Sequence, residues 1–230
     1  MSLDDRKEIK MGINFGDIGG APAANPTAAV ETGTAQQIST PQGITLDLDK
    51  GAILDLSKQE PGLQHVKLGA GWDVASAGTD FDLDISAFAL NSNGKITSVN
   101  DVIYFKHPEI PGIKLNGDNR TGEGDGDDET IDVDLSLVPA QYSAIVFVVN
   151  IYEAQQRRQT FGMVNNSYVR LLNTDAGNKE ICRFVLKDDY STSTGVIFAK
   201  LKREGSAWKF EAVGDGKVVK DLNDIAAMFS

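Results

Sequence analysis

Sulfur and imidazole are nearly missing from this chain. Its single cysteine, Cys182, excludes an internal disulfide framework, and with only His65 and His107 beside it no Cys/His set for a structural zinc site can form. Positive charge is also scarce: 22 Lys and Arg stand against 33 Asp and Glu, a formal net charge of −11. That sign cannot neutralise a phosphate backbone, so nucleic acid and anionic lipid surfaces are poor partners. Long apolar runs are lacking as well. No stretch approaches the roughly 18 apolar residues of a membrane span, and the opening MSLDDRKEIKMG has no apolar leader region. A soluble, cytoplasmic protein with no membrane span is expected. The motifs of the common hydrolases and nucleotide-binding enzymes, G-x-S-x-G, G-x-x-x-x-G-K-[ST] and H-E-x-x-H, are absent too.

What is present is β patterning. Residues 1–42 carry three of the seven prolines with much Ala, Thr and Gly and few large apolar residues, which predicts a flexible extension. From residue 43 to 230 the pattern is that of one all-β domain. It opens with an echo, GITLDLDK (43–50) followed by GAILDLSK (51–58), which reads as a hairpin turning at Asp49-Lys50-Gly51. Further strand-like runs, among them Gln64–Leu68, Phe81–Leu90, Ile131–Leu135, Ala144–Tyr152, Ser167–Leu172 and Trp208–Val213, bring the expectation to about ten short strands in a two-sheet β-sandwich. AIVFVVNIY (144–152) is apolar almost throughout, as a central covered strand requires. EAQQRRQTFG (153–162) predicts a short polar helix ending at Gly162. At the C-terminal end Leu222, Ile225, Ala226 and Phe229 follow helical spacing after Asp221.

Two acidic clusters stand out. In GDNRTGEGDGDDE (117–129), Asp118, Glu123, Asp125, Asp127, Asp128 and Glu129 are opposed only by Arg120. Like charges about 5 Å apart repel by roughly 3 kcal/mol at an effective dielectric of about 20, so a folded loop of this kind needs a cation. Gly117, Gly122, Gly124 and Gly126 allow sharp turns that aim carbonyl oxygens inward, while Asn119 and Thr121 add neutral oxygens. An all-oxygen donor set points first to Ca²⁺ and second to Mg²⁺. The spacing is not that of an EF-hand: counted from Asp118, Asp125 or Asp80, position six is Glu123, Thr130 or Ile85, where that motif needs Gly. In DFDLDI (80–85), strict alternation turns Phe81, Leu83 and Ile85 to a core and Asp80, Asp82 and Asp84 to the opposite face. Strand rise spaces those carboxylates by about 6.6 Å, too widely to chelate one ion alone, so the 117–129 loop is the expected co-supplier. Asp73, in GWD, is a further candidate ligand.

The stretches PGLQHVKLGAGWD (61–73), FDLDISAFAL (81–90), GDNRTGEGDGDDE (117–129), VPAQYSAIVFVVNIYEAQQRRQTFGMVNNSYVRL (138–171) and WKFEAVGDG (208–216) resemble, in order, those of the TerD family of bacterial tellurium-resistance and general-stress proteins. The resemblance implies a two-sheet sandwich that binds calcium, with the acidic loop and the FDLD strand supplying carboxylates. It departs at Tyr152, where members often carry His, and in the long 1–42 extension. The expected function is a non-enzymatic stress-response binding or scaffolding module holding two Ca²⁺ ions and presenting an ordered surface to a protein partner. A metal-dependent phosphoesterase or other hydrolase using the same Asp cluster is the alternative. Cys182, alternating with Phe184 and Leu186, reads as a buried thiol, Trp72 and Trp208 as packing residues, and Arg157 with Arg158 as solvated helix charges.

Overall fold

The computed structural model describes residues 46–47, 50–73, 81–117, 126–185 and 190–230. The expectation for residues 1–42 lies outside the described residues. In chain order the strands are β1 (Leu46–Asp47), β2 (Ile53–Asp55), β3 (His65–Asp73), β4 (Leu83–Leu90), β5 (Val102–Ile103), β6 (Glu109–Ile110), β7 (Ile113–Asn116), β8 (Glu129–Asp134), β9 (Ala144–Ile151), β10 (Asn165–Asn173), β11 (Lys179–Val185), β12 (Gly195–Glu204) and β13 (Ala207–Lys217). Three short helices accompany them: α1 (Leu56–Gln59), α2 (Ala154–Arg157) and α3 (Leu222–Ala226). The strands form a seven-stranded sheet ordered β1-β11-β10-β3-β8-β7-β6 and a six-stranded sheet ordered β2-β13-β12-β9-β4-β5. All described strand pairs are antiparallel except β1 with β11. The two sheets make the expected β-sandwich.

Alternation dictates the core. On β4, Leu83, Ile85, Ala87 and Ala89 face the other sheet, on β3 Val66, Leu68, Ala70 and Trp72, and on β8 Ile131 and Val133. β9 is buried along its whole length. Its inward row, Ile145, Phe147, Val149 and Ile151, joins the inter-sheet core. Its outward row, Ala144, Val146 and Val148, packs beneath α3 and Phe229 in a second apolar layer. The amphipathic C-terminal helix is therefore where its spacing predicted, started by the Asp221 carboxylate, which accepts from the Asn223 and Asp224 amides.

Three local expectations need correction. The echoed segments do not pair with each other: β1 joins β11 in one sheet and β2 joins β13 in the other. The chain crosses between sheets near Gly51, whose amide bonds Ala212 O, and Leu56–Gln59 turns helical behind the Asp55 cap. The 153–162 helix stops after Arg157, because Arg158 takes φ +54°, and Phe161–Met163 forms a separate 3₁₀ turn. The strand count also exceeds ten, partly through the β6/β7 hairpin around Pro111-Gly112. There Gly112 sits at φ +79°, and a Cβ on it would meet Val138 N at 2.5 Å.

Other readings hold. Cys182 is 2% exposed and burial pushes its thiol up to about 12, which removes it as a nucleophile. Trp72 and Trp208 are buried. Arg157 is less free than expected, lying over the Tyr152 ring and pairing with Glu153 at 3.6 Å. Among the described residues no helix is long and apolar enough to cross a membrane.

His65 opens β3 and ties it to the turn after β10. Its Nδ1 lies 2.6 Å from Asp175 and its Nε2 3.3 Å from Asp134. Asp175 also accepts the Gln64 and His65 amides, and these bonds pull its carboxyl down to about 2. The Asp175 hydrogen bond in turn raises the His65 imidazole. A raised imidazole contributes stability that is complete below its ordinary value near 6.5 and lost as pH climbs through the raised one. The depressed carboxyl contributes above its ordinary value near 3.8 and loses that as pH falls toward about 2. Stability should therefore decline from pH 6 to pH 9 by less than about 1 kcal/mol, given the solvent-screened pair. Thermal melts across that range should show the decline flattened in Asp175→Asn; an unchanged slope would remove this pair as its source.

Candidate metal centre at the shared end of the two sheets

β8 carries Glu129 to β4 of the opposite sheet, and Asp127, Asp128 and, from β3, Asp73 lie close to that junction. On β3 the inward positions are apolar and the outward row includes Gly69 and Gly71, opposite the outward Arg170 and Tyr168 of β10. The two glycines leave a trough in the outer face of the seven-stranded sheet. Asp127 lies in it: a Cβ on Gly69 would fall inside the Asp127 carboxylate, and one on Gly71 would come within 2.5 Å of the Tyr168 hydroxyl. Arg170 Nε donates to Asp127 Oδ1 at 2.8 Å, and the Tyr168 hydroxyl donates to Gly126 O at 2.8 Å while lying 3.1 Å from Asp127 Oδ1. Burial, with Asp127 close by, pushes that phenol up to about 12, so it stays a donor at physiological pH.

Asp128 continues the β3/β8 ladder beyond its last regular pair. Its amide donates to Ala70 O at 2.8 Å and its Oδ2 accepts the Trp72 amide at 2.9 Å. Burial raises its carboxyl, and the neighbouring charges of Asp127 and Asp73 raise it further, against the Trp72 hydrogen bond. Asp73 is exposed at the end of β3 and accepts from Asn166 Nδ2 at 2.6 Å. Glu129 points the other way, into the sandwich. It is 3% exposed and its Oε2 takes the Ile85 amide of β4 at 2.7 Å, a bond between the two sheets. Asp82, 5% exposed, precedes β4, and its carbonyl accepts from the Tyr152 amide.

The structure thus brings Asp73, Asp127 and Asp128 into electrostatic contact, with the adjoining Glu129 turned into the sandwich. Asp84 is directed elsewhere, onto the outer face of the six-stranded sheet, where it lines a separate cleft. Asp80, Asp118, Asn119, Thr121, Gly122, Glu123, Gly124 and Asp125 lie outside the described residues. Among the described residues, no three His, Cys, Asp or Glu side chains are close enough to hold a metal unaided.

Sequence reasoning missed the partners that hold the site: Gly69, Gly71, Tyr168 and Arg170. A signal existed in SYVRL (167–171), where alternation turns Tyr168 and Arg170 to one face. What it could not reveal is that this face lies beside the glycines of a strand a hundred residues earlier.

A model of the TerD domain matches residues 44–229. The tellurium resistance protein TerD of Serratia marcescens is 45% identical over 176 residues, spanning 75% of this chain and 91% of that protein. General stress protein 16U of Bacillus subtilis (strain 168) is 44% identical over 177 residues, with 75% and 91% covered. In three dimensions the chain superimposes on the crystal structure of a telluride resistance protein (TerD) homologue from Streptomyces coelicolor A3(2). The TM-score is 0.60 at 23% identity, over 74% of this chain and 99% of that one, a likeness of fold.

Proposed function

The chain belongs to the TerD family, and from that premise we propose that it is a cytoplasmic, non-enzymatic stress-response protein that binds Ca²⁺ where its two sheets meet and presents the ordered surface to a protein partner. Relatives named for tellurium resistance and general stress support the stress-response role. The calcium reading rests on one observation above all: Asp128 is held partly buried, with its carboxyl raised by burial and by the like charges of Asp127 and Asp73. That placement costs stability in the absence of a cation and is offset when one is bound.

The residues present fit a hard divalent ion, since every donor is an oxygen and none is a thiolate or imidazole. In the proposed set, Asp73, Asp82, Asp128 and Glu129 would contribute from the described framework, and Asp118, Asn119, Thr121, Glu123 and Asp125 would complete the coordination of two ions. Asp127, already satisfied by Arg170, holds the loop to the sheet, and Asp84 is left to the cleft it lines. Bound calcium would supply local positive charge that favours the ionised carboxylates; the chain's part is to hold them close together.

Calorimetric titration of chelator-treated full-length protein tests this. A hundredfold excess of Ca²⁺ over Kd should add about 2.7 kcal/mol of stability, reversed by EDTA. Asp128→Asn should weaken binding at least tenfold. Heats indistinguishable from dilution, with no shift in melting temperature, would overturn the proposal.

A further inference from the structure

The outer face of the six-stranded sheet carries a cleft of about 310 Å³, large enough for a small metabolite and outside the acidic centre. Its floor follows from strand register. Asp84 of β4 lies beside Asn150 of β9, and Asn150 beside Gly195 of β12. All three are on the outward row, since their neighbours Leu83, Ile85, Val149, Ile151 and Val196 belong to the inner core. Ser86 is the next outward residue on β4. α3 and Phe229 cover the rest of this face, with Lys220, Asp221 and Leu222 of the α3 start bordering the cleft, which stays open over Asp84 and Asn150.

Asn150 is the informative residue. It is the one polar side chain in an otherwise apolar strand, it is 7% exposed, and its Oδ1 is buried with no hydrogen-bond donor among the described residues. An unmet buried amide oxygen costs on the order of a hydrogen bond, and its persistence in a strand centre calls for a ligand. Beside it stands an acceptor-only carboxylate, Asp84, while Tyr104, Phe105 and Tyr152 wall the cleft with aromatic faces. Glu153, at the rim, is held at φ +52°, a left-handed conformation unfavourable for a residue with a side chain.

We propose that this cleft binds a small organic cation, a primary amine or guanidinium, whose N–H groups donate to Asp84 and Asn150 Oδ1 and whose charge lies against the aromatic walls. Acceptors at the floor call for a ligand rich in donors, and aromatic faces favour a cation over a neutral donor.

Agmatine, which carries both cationic groups, is the probe, with 1,4-butanediol as the uncharged control. Full-length protein in EDTA should bind agmatine saturably with Kd below about 1 mM and ignore the diol. Asp84→Asn should weaken binding at least tenfold and Tyr104→Leu several-fold, while Asn150→Asp, adding a charge, should tighten it. Melting curves check that each variant is folded, and Asp84→Asn serves if Asn150→Asp is not. The proposal is overturned if agmatine fails to saturate, if Asp84→Asn binds it unchanged, or if binding requires Ca²⁺. Because EDTA removes calcium and Asp84 is outside the proposed calcium set, either reading can fail without the other.

Discussion

Arg170→Met should cost about 2–3 kcal/mol, out of proportion to the loss of one partly exposed charge. Arg170 holds two carboxylates at once, Asp127 through Nε at 2.8 Å and Glu180 through its terminal nitrogen at 3.0 Å. The Asp127 side chain is 8% exposed, over glycines that give it no alternative position, and the Glu180 side chain is 17% exposed. Removing the cation leaves the first carboxylate desolvated with, among the described residues, only the Tyr168 hydroxyl as a hydrogen-bond partner, whereas Glu180 keeps Arg183. Breaking a fully buried pair in this way costs about 3–5 kcal/mol; the partial exposure of Arg170 lowers the figure. Urea denaturation of Arg170→Met, Asp127→Asn and the double variant checks this as a cycle. Asp127→Asn alone should be milder, and the double variant should recover about half of the Arg170→Met loss. Strict additivity would mean that the pair does not hold the loop. On the calcium reading, Arg170→Met should also lower affinity, since Asp128 is the next residue along.

Phe147→Ala has the largest expected cost, about 3–5 kcal/mol, because a fully buried ring is removed from the centre of the sandwich. Phe147 is 0% exposed, pairs in register with Ala87 on one side and Ala199 on the other, and meets Phe198 at a ring-centroid distance of 6.2 Å. Those two alanines make room for the ring, so without it neither neighbour has side chain enough to fill the space. For a domain of this size, the melting temperature should fall by roughly 10 °C. Phe147→Leu should recover more than half. A drop of only a degree or two would mean that the two sheets close over the gap, contrary to the rigid packing of such cores.

How far the fold could be read follows from where its determinants lie. Alternation in FDLDI and IDVDL, the apolar AIVFVVNIY and the capped C-terminal helix are local signals, and each gave the correct element and the correct face. The echo of GITLDLDK and GAILDLSK is equally local and misled, because period-two alternation marks a strand without choosing its partner. That choice was made by β11 and β13, more than a hundred residues onward. The short reach of α2 was illegible for another reason: Arg158 adopts a conformation that its residue type disfavours, so no propensity argument could find it. At the site, the acidic residues announce themselves, whereas the trough that holds Asp127 consists of two absent side chains on β3. Asn150 was visible as the lone polar residue in a buried run, a signal that reads as noise until its outward neighbours are known.

The division of β1 and β2 between the sheets also sets an order in time. Leu46 finds its partner only once Cys182 exists, and Ile53 only once Glu211 does. At a synthesis rate of about 5–20 residues per second, these strands wait roughly 7 to 30 s for their neighbours on a growing chain. Strands of two and three residues are poor templates for stray pairing, which makes the wait tolerable. On a growing chain β1 can join its sheet only after β11 is made and β2 only after β13, so each sheet gains one of its edge strands late.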